Sequence, residues 1–227
     1  MAARRQALAP EQSRGLIYPD LFIPVLEESG LVIDVGHWIV RETLNALSEL
    51  TEADAGPITM STNVSATQLR DSRLVPTLAL ATKKRGVNAS KVVIEITESA
   101  LIDNFEDVQH VLGAIRALGI KIAIDDFGTG YSSLRYLIRF SPDILKLDKS
   151  FIDDIADDSS AKTVVEGVID LAHKLGMSVV AEGVETQQQL DMLKASQCDK
   201  VQGYLLGRSG PASDILERIN RSAAKVL

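Results

Sequence analysis

Six short apolar segments between Ile58 and Leu205 alternate with stretches of helical periodicity, and that rhythm restricts the fold more than any other feature of the chain. The segments run over residues 58–64, 91–96, 121–126, 143–148, 178–181 and 200–205. They are rich in Val and Ile, and most are bounded by Gly, Asn or Ser. Between them lie helical patterns, such as residues 74–84, 105–118, 160–175 and 187–195. Strands that alternate with helices read as βαβ units around a parallel sheet. Two further helices, over 19–30 and 31–50, precede this rhythm, and a last one is expected over 212–226. The first should bury Leu21, Phe22, Val25 and Leu26. In the helix over 160–175, Val164, Val168, Leu171 and Leu175 predict the apolar face, with Gly176 as the stop. Residues 1–15 are polar and basic without periodicity, so an irregular segment over 1–15 and one domain over 16–227 are expected.

The polar residues of interest share a position. Asn63, Glu95, Asp125, Asp126, Glu182 and Gln202 fall at or near the C-terminal ends of predicted strands, and Lys146 lies inside one. They recur at about 20–36 residues, one group per βα unit. In a (β/α) barrel these strand ends converge on one mouth, where active sites are built. Asp125 and Asp126 stand side by side at the end of a buried strand, which is costly unless a cation meets them. Hard oxygen ligands of this kind suit Mg²⁺ or Mn²⁺. With further carboxylates opposite they could hold two ions, the arrangement used for in-line attack at phosphorus.

Each of these residues alone has a plainer explanation. A single Glu at a strand end is commonly a solvated residue or a helix cap, and a single Lys an ion-pair partner. The plain readings weaken together because so many polar groups occupy one structural position. Asp126-Phe127-Gly128 matches a protein-kinase tripeptide, but no glycine-rich nucleotide loop or His-Arg-Asp catalytic loop accompanies it. Gly128-Thr129-Gly130 reads as a flexible lid rather than a phosphate loop. His37, His110 and His173 lie on predicted helices and read as structural or surface groups. Trp38, beside Ile39 and Val40, reads as core or interface. The acidic run of Asp153, Asp154, Asp157 and Asp158 reads as a solvated loop.

Composition narrows the partners. The 227 residues are 45% hydrophobic, enough for a sizeable core, and 24% charged. The formal net charge of -7 argues against a duplex nucleic acid, which selects a basic face. The single Cys198 excludes an internal disulfide and fits a reducing compartment. No signal-peptide pattern and no apolar run of about 18 residues occurs, so a cytoplasmic chain without membrane contact is expected.

Several segments in order carry a resemblance: Phe22-Ile23-Pro24 with Glu27-Glu28-Ser29-Gly30, Asn63-Val64-Ser65, Glu95-Ile96-Thr97-Glu98, Asp125-Asp126-Phe127-Gly128-Thr129-Gly130, Lys146-Leu147-Asp148, Ala181-Glu182-Gly183-Val184-Glu185, and Gln202-Gly203-Tyr204. From about Gly15 to Arg208 the chain resembles the EAL-domain family, the cyclic-di-GMP phosphodiesterases. The resemblance implies a TIM-like (β/α) barrel, here lacking its first two strands, that hydrolyses cyclic di-GMP to linear pGpG with Mg²⁺ or Mn²⁺, in two ions. It implies metal ligation by Asn63, Glu95, Asp125, Asp126 and Glu182. It makes Lys146, Glu182 and Asp126 catalytic, with Lys146 orienting the attacking water. It assigns Gln202, Glu98, Asp148, Glu185, Gly128 and Thr129 to the substrate and the lid, Glu98 pinning that lid. It also implies a homodimer, and sensory or cyclase domains in a longer parent protein.

One departure from the family bears on activity. The Glu-Ala-Leu signature belongs to the family's second strand, and its Glu is a metal ligand. The nearest match here is Gln6-Ala7-Leu8, and Glu11 is the one acidic residue before Asp20. The chain is therefore expected to be either a phosphodiesterase or a weak or inactive cyclic-di-GMP receptor.

Overall fold

The computed structural model describes residues 2–4, 9–11, 15–17, 19–53, 56–102, 105–128, 134–208, 210 and 215. The strands are β1 (Ala2–Arg4), β2 (Ala9–Glu11), β3 (Gly15–Ile17), β4 (Thr59–Asn63), β5 (Val92–Thr97), β6 (Lys121–Phe127), β7 (Ile144–Leu147), β8 (Ser178–Ala181) and β9 (Lys200–Val201). The helices are α1 (Pro19–Glu28), α2 (Val32–Glu52), α3 (Ala66–Leu69), α4 (Leu74–Arg85), α5 (Glu98–Ile102), α6 (Phe105–Ala117), α7 (Leu134–Phe140), α8 (Lys149–Asp153), α9 (Ser159–Lys174) and α10 (Gln187–Ala195).

Among the described residues seven strands form one sheet in the order β1-β4-β5-β6-β7-β8-β9, and every neighbouring pair is parallel. Strands that pair in chain order, with a crossover helix at each step, curl into an open barrel with β1 and β9 as its edges. The six strands expected from the sequence are β4 to β9. β1 is an addition: residues 1–15, expected to be irregular, supply a strand beside β4 and one arm of the β2–β3 hairpin. Three residues are too short for periodicity to register.

Side-chain alternation along the strands separates two environments. Ile94 and Ile96 of β5, Ile122 and Ile124 of β6, Leu145 and Leu147 of β7, and Val179 and Ala181 of β8 belong to the main core with the helices. Their neighbours Val93, Ala123, Ile144 and Val180 form a separate small cluster, which places it on the inner face of the curl. The residue two positions further along each of these strands is Glu95, Asp125, Lys146 or Glu182. One apolar layer thus lies directly beneath one ionic layer, as stacked layers fill a barrel interior.

The helices close the outer face. Val40, Leu44, Leu47 and Leu50 of α2 are buried at helical spacing. In α9 the buried face is Val165, Ile169 and Ala172. Val168 is half-buried, while Val164 and Leu175 are 48% and 39% exposed, so the predicted stripe is rotated by about one position. Both stripes share Val168, and only the direction of the sheet decides between them. α1 departs similarly: Leu21 and Val25 are exposed, and Phe22 and Leu26 turn inward. Trp38, expected in a core or interface, is 53% exposed. Positive φ at Gly86, which caps α4, ends that helix where the sequence predicts. The helix expected over 212–226 lies outside the described residues apart from Ile215. Among the described residues, no helix is long and apolar enough to cross a membrane.

A polar latch ties α2 to the segment between α3 and α4. His37 Nε2 lies 2.6 Å from Asp71 Oδ2, and Arg73 Nε donates to both Asp71 oxygens at 3.1 Å. The Arg73 guanidinium, with help from His37 and against the effect of burial, holds the Asp71 carboxyl at about 2 rather than 3.8. A depressed carboxyl contributes stability that is complete above the unfolded value and lost as pH falls through the folded one. Asp71→Asn is therefore expected to lower the denaturation midpoint at neutral pH, with the gap to wild type closing between pH 3.8 and about 2. The α9 face is checked by urea melts: Ile169→Ala is expected to cost roughly 2–5 kcal/mol and Val164→Ala less than about 0.5 kcal/mol.

Candidate active site

Lys146 is the centre of the ionic layer. Its side chain is 2% exposed. Its Nζ lies 2.5 Å from Glu182 Oε1, 2.6 Å from Asp125 Oδ1 and 3.0 Å from Glu95 Oε2. Glu95 and Asp125 are equally buried, with side chains 5% and 3% exposed, and Glu182 is 12% exposed. β5, β6 and β7 each contribute one member and the residue directly after β8 contributes the fourth, so four adjacent strands meet at a single ammonium group. Among the described residues one ammonium faces three carboxylates above an apolar floor, and a layer this rich in carboxylates suits a further cation.

Asp126 joins the group through a backbone irregularity. Strict alternation would send Asp125 and Asp126 to opposite faces of the sheet. Between Ile124 and Phe127 the β6–β7 register shifts, and Asp126 adopts φ 54°. The shift has the character of a bulge, which re-aims side chains at a strand end. A left-handed residue other than Gly costs about 1–2 kcal/mol, less for Asp, which bonds locally. Here the Asp126 N–H donates to Asp125 Oδ1 at 3.1 Å. As a result Asp125, Asp126 and Glu182 each offer one oxygen, all within 4.8 Å of one another. Three converging carboxylate oxygens fit a hard divalent ion such as Mg²⁺ or Mn²⁺.

The other residues singled out in the sequence take distinct places. Asn63 ends β4 in register with Glu95 and is exposed. Gln202 follows β9, where its N–H donates to Ala181 and its carbonyl accepts from Val184. Gly203 lies so close to the Val184 backbone that a β-carbon there would overlap it, which explains Gly directly after Gln202. Glu98 opens α5, is buried, and accepts from the Gly128 N–H at 3.5 Å, at the start of the loop that follows the metal-fitting pair. Thr129 lies outside the described residues. Asp148 caps α8: its carboxylate accepts from the Ser150 N–H at 2.9 Å. Burial would raise the Asp148 carboxyl, but hydrogen bonds from Ser150 and Lys149 outweigh it and hold the group below its ordinary value. Glu185 is exposed and pairs with Lys149 at 2.9 Å. Gln6-Ala7-Leu8 lies outside the described residues, and β1, which stands beside β4, contains Ala2, Ala3 and Arg4, none of them acidic.

Comparison with known proteins agrees with this geometry. Residues 5–209 match the EAL domain. The chain belongs to the EAL domain family. It is 35% identical over 205 residues to the bifunctional diguanylate cyclase/cyclic di-GMP phosphodiesterase MucR of Pseudomonas aeruginosa, covering 90% of this chain and 30% of MucR. It is 38% identical over 205 residues to the cyclic di-GMP phosphodiesterase NbdA of the same organism, covering 90% of this chain and 26% of NbdA. The fold matches the solved c-di-GMP complex of the PaMucR phosphodiesterase with a TM-score of 0.86 at 34% identity, over 92% of this chain and 84% of that one. The chain spans about a quarter to a third of the length of the curated relatives it matches.

Two residues that strand-end counting does not flag, Lys149 and Phe151, lie directly against Gly183 and Gly128. They sit on a helix, and their one sequence signal is proximity to Lys146-Leu147-Asp148. The ionic layer itself gives a direct expectation. Lys146→Met leaves three buried carboxylates without their ammonium and is expected to cost about 3–5 kcal/mol in chelator-treated protein. An unchanged denaturation midpoint would show that these contacts carry no stability.

Proposed function

We propose that this EAL domain is a cyclic-di-GMP phosphodiesterase that hydrolyses one phosphodiester bond to give linear pGpG. The observation that carries the reading is the convergence of Asp125, Asp126 and Glu182 beside Lys146 at the C-terminal mouth of a parallel barrel. Asn63, Glu95, Asp125, Asp126 and Glu182 are the residues that would hold Mg²⁺ or Mn²⁺, in two ions. When bound, the ions polarise the phosphate and lower the pKa of the attacking water. The protein groups do the rest. Lys146 presents its ammonium from a fixed position against Glu95, Asp125 and Glu182, and a carboxylate that turned to an ion would free one N–H to orient the water. The water oxygen forms a new bond to phosphorus, one ester P–O bond breaks, and the departing ribose oxygen takes up a proton. On this reading Asp126 and Glu182 accept protons from the water. Gln202, with amide donors on the same rim, contacts the substrate.

Substrate placement follows from space. The cavity inside the curl is about 20 Å³ and is lined by Glu95, Lys146, Gln202 and the apolar floor. That volume holds about one water molecule, and on this reading a cyclic dinucleotide lies at the mouth, where Asp125, Asp126 and Glu182 converge. On this reading the loop from Gly128, anchored by Glu98, closes over it, and Asp148 and Glu185 act from the α8 side. The resemblance extends to a homodimer.

A second reading has its own observation. β1 holds the sheet position beside β4 without a carboxylate, whereas the family resemblance assigns a ligand Glu to that region. A domain lacking that ligand would retain cyclic di-GMP and release little product, acting as a receptor. Incubation with cyclic di-GMP and Mn²⁺ separates the two: formation of pGpG establishes the enzyme, and binding without product establishes the receptor. In the active case Asp125→Ala is expected to abolish turnover, and pGpG production at the wild-type rate in that variant would refute the site assignment.

A further inference from the structure

The backbone just after Asp126 and just after Glu182 shares one neighbour, the short helix α8. Gly128, two residues after Asp126, has φ 101°, and a β-carbon there would overlap the Phe151 ring. Gly183, one residue after Glu182, has φ 72°, and a β-carbon there would overlap the Lys149 side-chain stem. Each loop therefore passes a Gly against α8 at van der Waals distance. Phe151 is half-buried and packs against the main core. Lys149 is held at its far end: its ammonium pairs with Asp153 at 2.7 Å and Glu185 at 2.9 Å. The helix is itself anchored by the Asp148 cap and follows β7, the strand that supplies Lys146.

We infer that α8 is a positioning wedge, in which Phe151 sets the Asp126 loop and the Lys149 stem sets the Glu182 loop, so that both carboxylates converge beside Lys146. The inference rests on the metal reading of Asp126 and Glu182 given above. Neither Phe151 nor Lys149 is a ligand or touches the reacting atoms; each acts through the segment it packs against. Partners outside the ligand shell that orient ligands affect metal affinity by about 10–100-fold. The two contacts are independent of each other in chemistry, one aromatic and one aliphatic, and both would have to relax for the carboxylates to separate fully.

The test is Mn²⁺ binding by titration calorimetry on the full chain, beside thermal melts with and without Mn²⁺. Phe151→Ala and Lys149→Ala are each expected to raise the Mn²⁺ dissociation constant about 10–100-fold and to shrink the Mn²⁺-induced rise in melting temperature. Phe151→Met and Lys149→Met keep reach and bulk, so affinity within about threefold of wild type is expected. Lys149→Met also separates the stem from the charge, because it removes the pairs to Asp153 and Glu185 while still covering Gly183. Wild-type affinity in both alanine variants overturns the wedge and leaves the metal reading intact. An equal loss in the methionine and alanine variants also overturns it. Absence of Mn²⁺ binding by the wild-type chain overturns the metal reading and the wedge with it.

Discussion

The ammonium of Lys146 holds together groups that would otherwise repel one another. Glu95, Asp125 and Glu182 come from three different strands, and each sits within 3.0 Å of that single cation. At such distances in a buried layer, like charges oppose close packing of the strands that carry them. Among the described residues the lysine is the cation that meets all three. The converging oxygens of Asp125, Asp126 and Glu182 are what suit the mouth of the barrel to divalent ions. The apolar floor of Val93, Ala123, Ile144 and Val180 matters for the same reason, because it keeps the layer above it poorly screened.

Geometry then does what charge alone cannot. Parallel strands in sequential order bring residues separated by tens of positions to one level of one inner face. The register shift at Asp126 adds a second carboxylate from the same strand. Close backbone approaches at Gly128, Gly183 and Gly203 fix the loops leaving β6, β8 and β9. The β7–α8 unit is central to both levels of organisation. It supplies the lysine from its strand and the wedge from its helix.

Much of this was legible beforehand. β4 to β9 follow from apolar runs closed by polar residues, and their order follows from the βα rhythm. The candidate residues Asn63, Glu95, Asp125, Asp126, Glu182 and Gln202 stand out by their shared place at strand ends, and Lys146 by its place within β7. Helical faces were read less well. The stripe through Val164 and Val168 and the stripe through Val165 and Ile169 differ by one position, and both are apolar enough to face a core. β1 escaped because three residues cannot display a period. Trp38, beside Ile39 and Val40, is 53% exposed, which takes it out of the core and leaves the interface reading.

The amino-acid sequence by itself determined the class of fold and the candidate residues of the ionic layer, because alternation and spacing are local and repeat with each βα unit, and its ordered motifs carried the resemblance to the EAL domain family. Only the tertiary structure decided that Lys146 is shared by three carboxylates, that a left-handed Asp126 turns its side chain to the face of Asp125, and that Phe151 and Lys149 stand behind the two carboxylate loops. These are contacts between segments distant in the chain, set by strand register and by a bulge. No periodicity in the sequence records either.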